Sequence, residues 1–350
     1  MYATATRATL TLVGQPRSEP MKCQRASWLL LLCCGSAVAH HGNSEFDLTV
    51  TVRYEGTIVE TLWINPHTVT TIETRTETGE PITLEIEGSS PSILRTGGFS
   101  AESLPKGERV TAVVSPSRRL PKESAYGYEI IKADGSVVPL VSTKMRRTPT
   151  SQTATSIFGA WVPTAESFTR MARALGTASL TDEGRAIKSR YTPVASGQAK
   201  CIPVSAPTVM TYPSVLVLER STDHVAIKTD WLGAERTVYT DGRAHPPAQD
   251  RFPQGHSTGK FEGDVFVVDT ANFTDQEAQG VPSGAGKHLV ERFALAADGK
   301  SVSYEFVWRD PEFLADALTG MAELSYRPDL KPASIACDRE SAERFFREFQ

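Results

Sequence analysis

The residues best suited to chemistry in this sequence are its seven histidines, two of which lie close together in a polar stretch. Two imidazoles with several carboxylates can hold zinc or act as acid and base, if folding brings them together. In the alternative, Asp241 belongs to a turn. Arg243 then pairs with Glu262 or Asp264. This alternative is favoured because no tight spacing such as His-x-x-x-His links the histidines. The members of this candidate cluster are Asp241, Arg243, His245, His256, Glu262 and Asp264.

A second group of histidines lies near the start of the chain. If a peptidase cuts after Ala39, the new terminus begins with His40 and His41. A terminal histidine offers its amine and its ring nitrogen as a bidentate chelate, and one more imidazole completes a T-shaped copper site. His67, after a predicted strand, is the candidate third ligand. The alternatives are a frayed terminus and a hydrogen-bonded turn histidine.

The stretch Gly255-His256-Ser257-Thr258-Gly259 fits the G-x-S-x-G pattern of a hydrolase nucleophile. A nucleophile elbow needs a buried strand before the serine and a helix after it. Here three prolines precede the motif and a strand follows it, and no HGGG-type oxyanion segment occurs in the chain. We therefore interpret Ser257 as part of a turn that enters a strand. The sequence leaves open whether the chain is an enzyme, and it favours a protein that is not one.

Residues 1–39 are predicted to contain a secretory signal peptide, with Met21 as an alternative start. Residues 21–39 combine a short basic region, an apolar run and small residues at Ala37 and Ala39. The apolar run is too short for a permanent transmembrane helix, and no later segment is long enough. We expect a periplasmic or secreted protein without a transmembrane segment in the mature chain. Lipidation is the second choice, because Leu32 rather than a small residue precedes Cys33.

Two cysteines, Cys201 and Cys337, remain after residues 1–39 are removed. An even number in an oxidising compartment predicts a disulfide bond between them. The alternative is two separate buried thiols.

The charge of the chain argues against nucleic-acid partners. Its formal net charge is −4, and loss of residues 1–39 removes four basic residues and one acidic residue, which leaves −7. No basic field is left to attract a phosphate backbone. The expected partner is an unknown small ligand or a protein.

The pattern of strands predicts a mainly β fold with two domains. Residues 40–144 contain three alternating segments, a short helix and further strands, which is the order of a small OB-like barrel. Residues 145–156 are polar and aperiodic, as in a linker. Residues 157–350 contain two short helices and then six strand-like segments with turns between them, which indicates an antiparallel meander or open barrel.

Several stretches resemble an uncharacterised family of exported bacterial proteins with an N-terminal domain of unknown function. In that family Ala-His-His, Trp-x-Asn-Pro-His and Gly-His-Ser-x-Gly-x-Trp-Glu-Gly-Asp recur. This sequence has Phe261 where the pattern prefers Trp, and Val265 where it prefers Thr. The resemblance implies the two-domain organisation but no activity. The matching stretches are AHHGNSEFD, VETLWINPH, EGSSPSILRTGG, LPKGERVTA, VYTDGRAHP and GHSTGKFEGDVFVVDT.

Three classes of function follow. The first is an exported binding protein for a small ligand or a metal, including copper at the mature N-terminus. The second is a metal-dependent enzyme that uses His245 and His256. The third is an accessory or interaction module without a small-molecule site. The first class predicts a pocket lined by aromatic residues. These are Trp63, Trp231, Tyr304 and Trp308.

Overall fold

The structure is a computed structural model that describes residues 46–142, 150–278 and 280–347. All of them belong to one compact unit, Ala39–Gln350. The elements of its first half are β1 (Val52–Leu62), β2 (Val69–Arg75), β3 (Pro81–Glu87), α1 (Pro91–Thr96), β4 (Arg109–Pro116), β5 (Ser124–Lys132) and β6 (Val137–Pro139).

The first five strands close into a small barrel. β1 pairs with β2 and β4, β2 pairs with β3, and β4 pairs with β5, all antiparallel. A short parallel pairing of β3 with β5 closes the sheet, and β6 extends it beyond β5. Helix α1 lies between β3 and β4 in the chain, so the predicted OB-like order is confirmed.

Alternation of side chains explains how this small barrel forms. Inward positions carry branched apolar residues such as Ile58, Ile72 and Leu84, which are buried. Burial of such side chains is the main source of free energy for closing a sheet of this kind. Helix α1 begins where Ser90 accepts a hydrogen bond from the Ile93 amide and Pro91 occupies the first turn.

The second half forms a larger barrel and contains three helices. Its strands are β7 (Gly159–Pro163), β8 (Leu216–Arg220), β9 (His224–Thr229), β10 (Glu235–Tyr239), β11 (His256–Glu262), β12 (Val265–Ala271), β13 (Gln276–Ala278), β14 (Val281–Ser283), β15 (His288–Leu295), β16 (Ser301–Arg309) and β17 (Leu318–Tyr326). Its helices are α2 (Ala165–Gly176), α3 (Asp182–Arg190) and α4 (Arg339–Arg347).

Nine of these strands close into a barrel, in the order β10-β11-β12-β15-β16-β17-β7-β8-β9. The mainly β prediction with a few short helices is confirmed, and most neighbours are antiparallel as a meander requires. Two details differ from the expectation. The barrel is closed, because β7 pairs with both β8 and β17. In addition, β10 and β11 run parallel, because the connection between them crosses the outside of the sheet.

The interior of the large barrel is filled by side chains. Trp308, Tyr304, Phe266 and Phe293 are fully buried there. The apolar residues that alternate along β16 thus face inward, as its sequence predicts.

The C-terminal segment contacts both barrels. The backbone N–H of Asn65 in the first barrel donates to the Ala336 carbonyl at 2.9 Å. Cys337 forms the predicted disulfide with Cys201, with Cα atoms 5.9 Å apart. Arg95 in α1 pairs with the buried Asp230, which follows β9. The predicted boundary at 145–156 lies partly outside the described residues.

No helix within the described ranges is both long and apolar enough to cross a membrane. The predicted signal peptide, 1–39, lies outside the described residues.

Candidate functional site

Three neighbouring strands of the large barrel each place one titratable residue in the same region of the outer face. In the register, Thr258 of β11 is opposite Asp269 of β12, so His256 lies diagonally next to Asp269. Asp269 is in turn opposite Val290 of β15. His288 therefore lies diagonally on the other side of Asp269, because residues two apart share a face.

A fourth residue reaches this face from a loop. Residues 240–255 leave β10, cross the outer surface and return at β11, and His245 lies within this loop. At its return, Gly255 has a φ of +70°, and a Cβ there would lie 2.8 Å from the Ala271 carbonyl oxygen. Only glycine fits such a backbone so close to the neighbouring strand.

The four side chains form a hydrogen-bonded chain. His245 Nε2 donates to Asp269 Oδ1 at 2.8 Å, and His288 Nε2 donates to the same carboxylate at 2.9 Å and 3.1 Å. Nδ1 of His245 lies 2.9 Å from Nδ1 of His256. We call His245, His256, Asp269 and His288 the histidine cluster. It is open to solvent, because the Asp269 and His288 side chains are 40% and 43% exposed.

A stack of flat groups covers one side of the cluster. The ring of Tyr239 stacks on His256 with centroids 5.3 Å apart, and the Arg243 guanidinium lies 3.7 Å from the Tyr239 centroid. Partial burial lowers the pKa of His256, and the neighbouring His245 and Arg243 lower it further. The hydrogen bond from Arg243 lowers the pKa of Asp241 to about 2.

The inner face of the same strands carries a buried polar network. Arg236 of β10 binds Glu291 of β15 through two nitrogens, one of them at 2.9 Å, and Tyr304 donates to Glu291 at 2.8 Å. Arg236 also donates to Thr270, whose hydroxyl is 2.9 Å from that of Ser257. Ser257 and Thr270 directly follow His256 and Asp269, so cluster and network lie back to back on the sheet.

Beside His288, Lys287 points into the barrel and is 3% exposed. Its ammonium lies between the rings of Phe273 and Trp308 and donates to Ser205 at 2.9 Å. Burial lowers the pKa of Lys287 to about 7.

The structure brings together only part of the cluster predicted from the sequence. His245 and His256 meet, but Glu262 is at the other end of β11, roughly 20 Å away at the rise of a strand. Glu262 pairs there with Lys260 and Arg292. Asp264 lies in the turn between β11 and β12. Arg243 pairs with Asp241, so the alternative pairing with Glu262 or Asp264 is wrong.

Sequence reasoning missed Asp269 and His288. The position of Asp269 follows from the two-residue turn at 263–264, which pairs Glu262 with Val265 and so fixes the register. No comparable signal gives His288, because a long connection separates β12 from β15.

Ser257 lies inside β11 and its side chain is fully buried. Its hydroxyl binds Thr270. It therefore does not occupy the exposed strand-to-helix turn that a nucleophile elbow requires.

Of the predicted copper ligands, the structure describes His67, whose Nδ1 contacts the Glu87 carboxylate. His40 and His41 lie outside the described residues.

The four aromatic residues expected to line a pocket do not meet around one. Tyr304 and Trp308 lie in the barrel core, and Trp231 packs on Tyr212 and donates to Gln198 at 2.9 Å. A surface cleft of about 380 Å³ lies in the first barrel, lined by Val59, Glu60, Thr61, Ala101, Leu104, Pro105 and Lys106. It is not part of the histidine cluster.

The family match covers the N-terminal part of the chain. Residues 29–124 match a family of unknown function, DUF6152. The DUF6152 match includes the three predicted copper ligands and ends before the histidine cluster. It supports the expectation of an uncharacterised N-terminal domain. No curated protein matches the chain.

Among solved structures, a point mutant of the fluorescent protein UnaG aligns with 49% of this chain and 96% of its own, at 10% identity and a TM-score of 0.23. A score this low supports no statement about fold or ligand.

Proposed function

We propose that this chain is an exported metal-binding protein and that the histidine cluster holds the metal. The observation that carries the proposal is the meeting of two imidazole Nε2 atoms, from His245 and His288, on the one carboxylate of Asp269. Export is supported by the pattern of residues 21–39 and by the disulfide, which is typical of oxidising compartments.

The spacing of the donor atoms suits a first-row transition metal. At the tetrahedral angle, ligand bonds of about 2.0–2.2 Å put adjacent ligand atoms about 3.3–3.6 Å apart. The hydrogen bonds of the cluster, 2.8–3.1 Å, are a few tenths of an ångström shorter than this spacing. No three His, Cys, Asp or Glu side chains in the described ranges surround one point as they stand. A metal would replace the protons that now hold His245 and His288 to Asp269, with small rotations of the side chains.

The neighbouring contacts fit such a role. With the metal on Nε2 of His245, Nδ1 carries the proton and can donate it to Nδ1 of His256. Such an outer hydrogen bond fixes the orientation of a ligating imidazole. Two imidazoles and one carboxylate suit zinc, and the exposure of Asp269 and His288 leaves a coordination position for water or a ligand. The metal-dependent enzyme predicted as an alternative would use this same open position.

Zinc titration of the metal-free protein by calorimetry tests the proposal. We expect one site in the wild type and a loss of affinity of about 100-fold or more in Asp269→Asn and His288→Ala, since each changes a ligand itself and changes in outer partners alone cost about 10- to 100-fold. His224→Ala is the matched control, because His224 also pairs with an aspartate, Asp223, at the surface. Absence of zinc binding by the wild type, or equal affinity in Asp269→Asn, would overturn the proposal.

A copper site at the mature N-terminus is a second candidate, favoured by the route of the chain. Phe46 bridges to Ser117, and its ring lies 5.7 Å from that of Tyr126. Tyr126 is in register with Glu87, which contacts His67. Phe46 comes five residues after His41, a length of chain that can span up to roughly 17 Å. We propose that the terminal histidines reach His67 over this length.

Intact mass and copper titration followed by electron paramagnetic resonance test this second site. We expect a mature chain that begins with His40 and a nitrogen-rich copper spectrum that is lost in His67→Gln. One glycine added before His40 should abolish the same spectrum, because it displaces the terminal chelate. A different start, or an unchanged spectrum in both variants, would count against this site and leave the histidine cluster unaffected.

A further inference from the structure

Asn272 occupies an unusual position directly after β12. Its φ is +59°, in the left-handed region, which asparagine tolerates better than other residues with a side chain. The residue is 8% exposed. It is three residues beyond Asp269 on the same chain, so its position is tied to that of the carboxylate.

The side-chain amide of Asn272 holds the loop that carries His245. It donates to the carbonyl oxygens of Pro246, Pro247 and Asp250 at 3.2, 2.9 and 3.0 Å. Pro246 directly follows His245. Neither proline has an N–H, so neither can bind the barrel through a backbone donor of its own.

Other contacts hold the far end of the same loop. Gln276 donates to the Pro253 carbonyl at 3.0 Å, and Gln254 donates to the carbonyl oxygens of Pro203 and Val204. These contacts lie eight or more residues beyond His245. The bonds of Asn272 are therefore much nearer to the histidine along the chain than those of Gln254 and Gln276.

We infer that Asn272 is a positioning residue for the metal site: its amide sets where His245 meets Asp269 and so determines the metal affinity. The inference rests on the proposed function of the histidine cluster. The amide has to hold His245 within hydrogen-bond distance of Asp269, because a loop of residues 240–255 has many other conformations to lose. Groups that orient a ligand in this way commonly change metal affinity by about 10- to 100-fold.

Asn272→Gly tests the inference, because glycine accepts the left-handed backbone and removes only the amide. We expect zinc affinity to fall about 10- to 100-fold. Gln276→Ala is the matched control, since it removes a side-chain amide from the far end of the same loop and should leave the affinity unchanged. Thermal unfolding of both variants, measured alongside, shows whether the barrel stays folded.

A double variant separates positioning from a general effect on the sheet. In a His245→Ala background, Asn272→Gly should cause no further loss of zinc affinity, because the residue that it positions is gone. An equal loss in that background would overturn the inference, as would wild-type affinity in Asn272→Gly alone.

A measurement without zinc keeps this inference distinct from the proposed function. The imidazole N–H of His245 that binds Asp269 should give a protected nitrogen-15 signal in the wild type and in Gln276→Ala, and lose protection in Asn272→Gly. If the wild type binds no zinc, the metal proposal fails, and this signal still decides whether Asn272 positions His245. If zinc binds and the signal is unchanged in Asn272→Gly, only the role of Asn272 fails.

Discussion

The interiors of the two barrels are filled by different kinds of side chain. The five-stranded barrel has an interior of branched apolar residues. The nine-stranded barrel encloses more space and includes a buried ion pair with its hydrogen-bonded partners, on the inner face of the strands that carry the histidine cluster. The first barrel has one imidazole on one carboxylate, His67 on Glu87, whereas the second has two imidazoles, His245 and His288, on Asp269. The histidine cluster and the buried ion pair therefore lie on opposite faces of the same part of the sheet.

The largest effect is expected from Glu291→Leu, which leaves the Arg236 charge buried without its partner. We expect unfolding free energy to fall by about 4 kcal/mol. The double variant Arg236→Met with Glu291→Leu should recover most of the loss, because no buried charge remains. Denaturant titration of the three proteins checks this. A double variant as unstable as the single one would show that the network, and not the unpaired charge, stabilises the large barrel.

Removal of the disulfide should have the next largest effect. The bond links residues 136 apart, so it restricts the unfolded chain strongly. Cys201→Ser with Cys337→Ser should lower unfolding free energy by about 3 kcal/mol. Hydrogen exchange would show where the effect falls: protection should be lost around Asn65 and Ala336, where the C-terminal segment meets the first barrel. Loss confined to the large barrel would contradict a role for this segment in joining the two.

The contact of Arg95 with Asp230 tests the junction through pH. Burial raises the pKa of Asp230 above its usual 3.8. The stability that this shift contributes is present below pH 3.8 and is lost as pH rises through the folded-state pKa. Asp230→Asn lacks this loss. The unfolding free energy of the variant minus that of the wild type should therefore increase as pH rises from about 4 to about 8.

A companion change, Arg95→Leu, removes the counter-charge of Asp230. It should cost about 2 kcal/mol at neutral pH and less in acid, where the carboxyl is protonated. Thermal unfolding over the pH range measures both variants. A difference between Asp230→Asn and wild type that does not change with pH would show that Asp230 keeps an ordinary pKa.

The smallest expected effect compares one buried hydroxyl in each barrel. Ser257 binds Thr270, and Ser115 donates to the Val50 carbonyl at 2.6 Å. Ser257→Ala and Ser115→Ala should each cost about 1 kcal/mol, the usual value for one buried hydrogen bond. Esterase assays on Ser257→Ala add a second test, because loss of a measurable activity in a folded variant would contradict the buried, structural role of this serine.

Local patterns predicted the strands of both barrels better than they predicted the cluster. Alternation identified β16, because inward and outward residues differ along one strand, and a run of strand-type residues identified β12. The two-residue turn at 263–264 contains enough information to place Asp269 near His256. It does not place His245 or His288, since a loop and a long connection bring them in, and their positions depend on contacts such as those of Asn272. The parallel pairing of β10 with β11 was not predicted either, because it depends on the path of the loop of residues 240–255.

The way the two sheets close also sets an order of events during synthesis. The first barrel is complete once residue 132 is available, because its last closing strand is β5. The second cannot close until β17, ending at Tyr326, pairs with β7, which ends at Pro163. For the time between, a growing chain holds an unpaired strand edge that invites other chains to add to it. A chain stopped short of residue 318 keeps this edge permanently, which makes premature termination a direct route to aggregation.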